Sequence, residues 1–485
     1  MSQILLKEKA IKGVFWNTIE KISVQGIQFI IGIILARILM PSDYGLIGML
    51  AIFIAISQWF LDSGFSTALI QKKNRSEIDF STVFFFNIVV SILLYLILYF
   101  CSPLIADFYN QPKLVDLTKV LSLNIIISSF SIIQTTKFTI NLDFKSITIS
   151  NFIAVIISGS VGVTMAYVGF GVWALVWQSI IRASILAIIL WVISKWKPGL
   201  VFSMESFKNL FKFGSKLLAA GMIATILRNI YSIIIGKYFA VQELGFFTRA
   251  KGFTDLTSLT VTSVLSKVSF PMLAEMQDDK KMLVSTYKRL IRMTSFVIFP
   301  LMALLAVIAE PFIRVLLTEK WIGVVPLLQL LCLARVLTPI STLNMNILNV
   351  IGRSDLFLKL DVIKVPIILG ALLIAIPFGV KAVVIGHVIS SVISYLLNTY
   401  YPSKFYQYGA INQIKDIRMI LLATLIMTIV VGIVGSSIDH DIIRLLVSIA
   451  LAGIVYFLAS YLLRIEELRV VKSLIMKLKN DNNSD

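Results

Sequence analysis

Charge, cysteine and histidine are all scarce in this chain of 485 residues, and each scarcity removes a class of chemistry. Charged residues make up 14% and hydrophobic residues 58% of it. A soluble globular domain holds roughly 25% charged and 45–50% apolar residues, so this composition belongs to a polytopic membrane protein. The two cysteines, Cys101 and Cys332, each stand alone in or beside an apolar run. Neither a disulfide framework nor a CxxC metal site can be built from them, and both read as packing residues. The two histidines, His387 and His440, are far apart. There is no Gly-rich phosphate loop, no HExxH and no nucleophile elbow. No connection is long enough to hold a catalytic domain. A membrane glycosyltransferase, polymerase or ligase needs paired carboxylates, a metal site or a long external loop. The chain is therefore expected to be no enzyme and to hold no metal or cofactor.

What the chain does have is repetition. Arg37, Asp43, Tyr44 and Gly45 fall on Lys237, Glu243, Leu244 and Gly245 after a shift of 200 positions, and the run IQFIIGIILAR before them falls on LRNIYSIIIGK. A second echo, GVWALV from Gly171 against GVKAVV from Gly379, recurs at nearly the same spacing. The chain reads as two copies of one membrane unit, a plan common among transporters.

Apolar runs of about 20 residues, the length that crosses a bilayer core, mark the spans. In the first copy they fall at 13–39, from the corner at Pro41 to about 70, and at 82–105, 115–140, 147–168 and 172–193. In the second they fall at 210–239, 245–273, 293–309 (closed by Glu310-Pro311), 324–350, 356–378 and 380–401. Two more, 417–436 and 442–463, have no counterpart in the first copy. The expectation is an all-α protein of about 14 transmembrane helices: two pseudo-symmetric six-helix lobes and two C-terminal helices. Residues 1–200 form the N-lobe, 201–410 the C-lobe, 411–463 the two added helices and 464–485 a tail. The basic start, MSQILLKEKAIKG, precedes a long apolar run without an A-x-A cleavage pattern, so the first helix is expected to stay as an anchor.

Of 44 Lys and Arg residues, most lie on one alternating set of connections, the set that includes both termini. The positive-inside rule then puts both termini in the cytoplasm. It also explains the net charge of +18 through flanks beside anionic membrane lipid, with no nucleic acid involved. The tail segment LRVVKSLIMKL is either an amphipathic surface helix or a frayed end. The tryptophans, Trp321 among them, lie near span ends and read as an interfacial belt.

Charges at membrane depth are costly unless they face a cavity or a partner, so they are the candidate functional groups. The basic ones are Lys21, Arg182, Lys216, Arg228, Arg249, Lys251, Lys267, Arg335 and Lys364; the acidic ones are Glu20, Asp62 and Asp255. The basic excess suits an anionic cargo, since guanidinium and ammonium groups can replace the water around a phosphate. Each has a plainer reading. Lys21 and Lys216 can snorkel, Arg249 and Lys251 can belong to the outer interface, and Glu20 can pair locally. Asp62 and Asp255 are either gating or ion-coupling groups or partners in interhelical salt bridges. His387 is either a titrating group or a packing histidine. The charges do not follow the repeat: Arg228 corresponds to Gln28, Asp255 to Ala55 and Asp62 to Thr262.

The corner Leu35-Ala36-Arg37, Leu39, Pro41, Asp43-Tyr44-Gly45, followed by Leu61-Asp62-Ser63-Gly64-Phe65 and Ala68-Leu69-Ile70-Gln71, resembles the polysaccharide export branch of the multidrug/oligosaccharidyl-lipid/polysaccharide (MOP) exporter superfamily, which includes Wzx-type O-antigen, colanic-acid and teichuronic-acid exporters. The resemblance covers nearly the whole chain. It implies a flippase of the bacterial cytoplasmic (inner) membrane. This would carry undecaprenyl-pyrophosphate-linked oligosaccharide for surface polysaccharide, by alternating access of two lobes around a cationic central cavity. It further implies that the buried basic residues hold the pyrophosphate or acidic sugars, and that Arg37, Pro41, Asp43 and Gly45 shape the outer corner. Family members use a proton or sodium gradient, but no sodium cage is evident, and polysaccharide polymerase machinery is an implied partner. Two rivals stand: a multidrug efflux antiporter of the related branch, which would favour a more acidic lining, and a membrane enzyme of polysaccharide assembly.

Overall fold

A computed structural model describes residues 16, 23–62 and 64–469, giving backbone alone at 62, 213, 214, 216, 217, 219, 220, 223, 264, 267 and 268. Among the described residues the chain is helical, without strands. It divides into two compact units, one ending at Gly245 and the other beginning at Phe246.

The first unit contains α1 (Ser23–Ile38), α2 (Pro41–Asp62), α3 (Phe65–Gln71), α4 (Glu77–Tyr109), α5 (Leu114–Leu121), α6 (Leu123–Ile140), α7 (Phe144–Tyr167), α8 (Val172–Ser194) and α9 (Met204–Tyr238). Helix starts are set by local chemistry. Ser76 and Asp79 cap each other's backbone N–H groups ahead of α4, and Asp143 caps α7. Between helices, close approach rests on small residues and on polar pairs that satisfy each other where water is absent. A Cβ on Gly159 would meet Ile31 at 2.1 Å, and Ser91 donates to Ser129 at 3.2 Å across α4 and α6. The α8–α9 connection is pinned to the start of α4. Ser81 and Thr82 accept from the backbone N–H groups of Gly199 and Ser203, while buried Asp79 takes Lys72 at 2.7 Å and the Ser206 hydroxyl.

α10 (Val241–Glu275) straddles the division. The second unit continues with α11 (Lys280–Val307), α12 (Ala309–Leu317), α13 (Val324–Arg335), α14 (Thr338–Val350), α15 (Ser354–Ala375), α16 (Val380–Asn398), α17 (Tyr400–Tyr406), α18 (Ala410–Ser436) and α19 (Asp441–Leu462). The two helices without a counterpart are fastened into this unit. Buried Gln413 of α18 donates to Asn344 at 2.7 Å and accepts from Tyr395 at 3.1 Å, and the Tyr287 hydroxyl donates to the same Asn344 oxygen. Buried Tyr408, in the turn before α18, stacks edge-on against Tyr287, and desolvation pushes its phenol well above the usual range, so it stays neutral. Tyr456 of α19 donates to the Phe296 carbonyl at 2.8 Å.

Among the described residues, eleven helical segments are long and apolar enough to cross a membrane. The other three expected spans fall on α1, α9 and α10, each of which contains or adjoins residues that are not fully described. Three expected spans prove discontinuous. The second is interrupted at Gly64, whose φ is 69°, and resumes at Phe65. The fourth is α5 and α6, parted at Ser122. The tenth breaks into α13 and α14, with Pro339 in the first turn of α14, where a missing N–H costs nothing. Glu310-Pro311 does not close the ninth span. α11 ends at Val307, and Glu310 and Pro311 open the short helix α12, again because proline suits a first turn.

Candidate charged site at a break in a membrane helix

The break between α13 and α14 places a charge where the bilayer would be deepest. At 1.5 Å per residue, Arg335 lies about 16 Å along its span and Asp255 about 20 Å along α10. Arg335 Nε stands 2.9 Å from Asp255 Oδ1, and each side chain is 21% exposed. Three features of the local fold place the arginine there. It occupies the last turn of α13, where the carbonyl ends favour a cation. Its own carbonyl, facing the break, accepts from the Ser258 hydroxyl at 3.1 Å. Ser258 and Asp255 are three residues apart on α10, so one face of that helix serves both ends of the arginine. Lys251 lies one turn before Asp255, and His387 of α16 is within electrostatic reach of both Arg335 and Lys251. Of the two readings left open for Asp255, the geometry at hand is that of an interhelical ion pair.

The other basic candidates are dispersed. Arg249 lies over the Trp321 ring at 5.8 Å, and Trp321 is fully buried, so this tryptophan is a packing platform and not part of a lipid-facing belt. Lys364 pairs with Asp361 at 2.8 Å within α15. Asp361 is an acidic group that the inventory of buried charges passed over; its three-residue spacing from Lys364 was the available signal. Arg182 of α8 reaches Gln28 of α1, whose amide oxygen, turned to the guanidinium, accepts from Nη2 at 2.8 Å and from Nη1. Arg228 is exposed on α9, with Nε 3.4 Å from the Ala224 carbonyl. Glu20 and Lys21 lie outside the described residues, as does most of the tail segment; the side chains of Asp62, Lys216 and Lys267 are likewise not described.

At the corner, Asp43 accepts from the Met40 N–H at 2.9 Å and so caps α2, while Arg37 is exposed. Pro41 and Gly45 are buried against the start of α10. A Cβ on Gly45 would fall 2.0 Å from the Val241 carbonyl oxygen, and a Cβ on Gly245 would fall 1.9 Å from the Pro41 carbonyl oxygen. The two helix starts cross, each glycine admitting the other's backbone. Lys237, the counterpart of Arg37, donates to the Phe108 carbonyl and covers its ring at 4.7 Å.

A family model described as "Polysaccharide biosynthesis protein" matches residues 34–326. The chain is 25% identical to the teichuronic acid biosynthesis protein TuaB of Bacillus subtilis, over 72% of this chain and 73% of that one. It is also 25% identical to the lipopolysaccharide biosynthesis protein WzxC of Escherichia coli, over 81% and 80%. Among solved structures, the lipid II flippase MurJ in an inward closed conformation has the same fold, with a TM-score of 0.74 at 16% identity over 93% of this chain and 98% of that one. An inward-facing multidrug resistance MATE transporter of the MOP superfamily follows at 0.63 and 15%, over 82% and 100%.

Proposed function

This chain belongs to the polysaccharide biosynthesis protein family, within the export branch of the MOP superfamily, and from that premise we propose that it is a flippase for lipid-linked oligosaccharide. Its cargo is an undecaprenyl-pyrophosphate-linked repeat unit, moved between leaflets of the bacterial cytoplasmic membrane by alternating access. Both termini lie in the cytoplasm, and a proton or sodium gradient drives the cycle. The repeat units pass to polysaccharide polymerase machinery.

One observation supports this reading above the others: a guanidinium held at a helix break deep in an apolar span. A buried ion pair that served only to hold helices together could be replaced as a whole by apolar packing at little cost. At a helix break it instead presents a planar donor fork that matches phosphate oxygens two at a time. The remaining candidates, Lys21, Arg182, Lys216, Arg228, Arg249, Lys251 and Lys364, supply positive potential for pyrophosphate or acidic sugars. Asp255, with Glu20 and Asp62, belongs to gating or coupling. Arg37, Pro41, Asp43 and Gly45 hold the corner.

The test is reconstitution into liposomes with a fluorescent undecaprenyl-pyrophosphate oligosaccharide, scored by its accessibility on the opposite leaflet. The wild type is expected to move it, and Arg335→Ala and Arg228→Ala, folded as judged by monodisperse elution, are expected to move it at least tenfold more slowly. A wild type that moves no lipid-linked sugar but exports small cations makes the protein a multidrug antiporter instead.

A further inference from the structure

Asp255 occupies the position on Arg335 that an incoming anion would need. We infer that this carboxylate is a built-in competitor, released from Arg335 when substrate binds, and that it sets the site's preference for pyrophosphate over lipids carrying a single phosphate. The inference rests on the flippase reading and adds a specificity-determining residue to it.

Several features of the site support an exchange. The pair is an ion pair at 2.9 Å whose facing atoms, Arg335 Nε and Asp255 Oδ1, are buried, while 21% of each side chain is open, so an incoming anion meets the open part of the guanidinium first. An arginine left bare at this depth would attract any anion present, including the phosphodiester headgroups of the surrounding bilayer. A tethered carboxylate is always at hand, so a competitor must offer more than one negative charge and more than one acceptor edge to displace it. A single phosphodiester, as links a glycan to undecaprenyl monophosphate, carries one charge, about what the carboxylate presents. A pyrophosphate diester carries two charges, which engage Arg335 together with the ammonium of Lys251, one turn away on α10. The displaced carboxylate remains beside Lys251, its i−4 neighbour, so it is not left as an unpaired buried charge. Release runs in reverse, with Asp255 reclaiming Arg335 as the lipid departs. No bond is made or broken; one ion pair replaces another.

The experiment uses the full chain in proteoliposomes with two fluorescent probes of equal glycan, one undecaprenyl pyrophosphate and one undecaprenyl monophosphate. The wild type is expected to prefer the pyrophosphate by at least tenfold in transport at limiting substrate. Asp255→Asn is expected to narrow that preference to within about threefold by admitting the monophosphate, and to slow turnover of the pyrophosphate. Asp255→Glu, which restores the charge, is expected to recover most of the preference. In an Arg335→Gln background Asp255→Asn should change nothing further, since its effect runs through the guanidinium. Should the aspartate variants fail to fold, the wild type still decides: inorganic pyrophosphate must inhibit at a concentration at least tenfold below inorganic phosphate, and equal inhibition overturns the inference. An unchanged preference in folded Asp255→Asn, beside a wild type that transports, overturns the competitor role and leaves the flippase reading standing. A wild type that moves neither probe overturns both.

Discussion

The helix that starts at Pro41 and the one that starts at Val241 are one element written twice, and they part company about 35 Å from their starts. Their starts are matched: Gly45 and Gly245 face each other's neighbouring carbonyl oxygens at nearly equal distances. Some twenty residues on, the first is interrupted at the left-handed Gly64, whereas α10 runs from Val241 to Glu275. The acidic residue has moved as well, from the break in the first copy to the continuous stretch at Asp255 in the second, where it holds Arg335. The fourth helix of each copy is discontinuous, between α5 and α6 in the first and between α13 and α14, at the arginine, in the second. The crossing, which needs two equal glycines, is thus kept in both copies, while the interiors of the two helices differ.

The largest effect should come from breaking what the copies share. Gly45→Ala and Gly245→Ala each push a methyl group against a carbonyl oxygen that belongs to helix backbone and cannot rotate away. Overpacking of this kind costs about 3 kcal/mol or more. Both variants are expected to lose most of their folded yield and to melt well below the wild type in a fluorescence-detected elution assay, by similar amounts. Gly26→Ala, which meets nothing within 4 Å, is the silent control. A large loss at one glycine and none at the other would mean that the crossing is not reciprocal.

Next comes the feature that only the first copy has. Gly64 sits at φ 69°, where an L side chain costs roughly 1–2 kcal/mol. Phe65, directly after it, is buried among Phe86, Phe207 and Phe211, so α3 is anchored and cannot shift to relieve the strain. Gly64→Ala is expected to lower the melting temperature by a few degrees, and Gly64→Asn, which tolerates the left-handed region, by less. Equal stability of wild type and Gly64→Ala would show that α2 and α3 join into one helix, removing the contrast with α10.

The sequence made some of this visible and concealed the rest. The repeat was legible because helix starts depend on particular residues, Pro41 and Asp43 at one corner and Gly45 with Gly245 across it. The breaks were not, because an apolar run stays apolar across a break. Gly64 and Pro339 were in plain view, but each lies in a run whose hydropathy averaged over a span's length stays high, and only the backbone tells whether a helix continues. The Asp255–Arg335 pair joins residues 80 positions apart, a contact that composition cannot express. Asp361 was overlooked for a different reason: buried charges counted singly do not reveal which are already neutralised by a neighbour three residues away.

The smallest effect should come from the hydroxyl that lets the second copy tolerate its break. A helix interrupted within the membrane leaves carbonyl groups without intrahelical donors, and at Arg335 one of these is supplied by the Ser258 hydroxyl at 3.1 Å. Ser258→Ala removes that donor at a fully buried position, which is worth about 1 kcal/mol. It leaves the charges of Asp255 and Arg335 untouched. The expected result is a small fall in melting temperature with the pyrophosphate preference retained, because the carboxylate still holds the guanidinium. Ser258→Thr, which keeps the hydroxyl, should recover the stability. If Ser258→Ala instead relaxed the preference as far as Asp255→Asn does, the position of the α13 terminus, and not the competing carboxylate, would be what selects the anion.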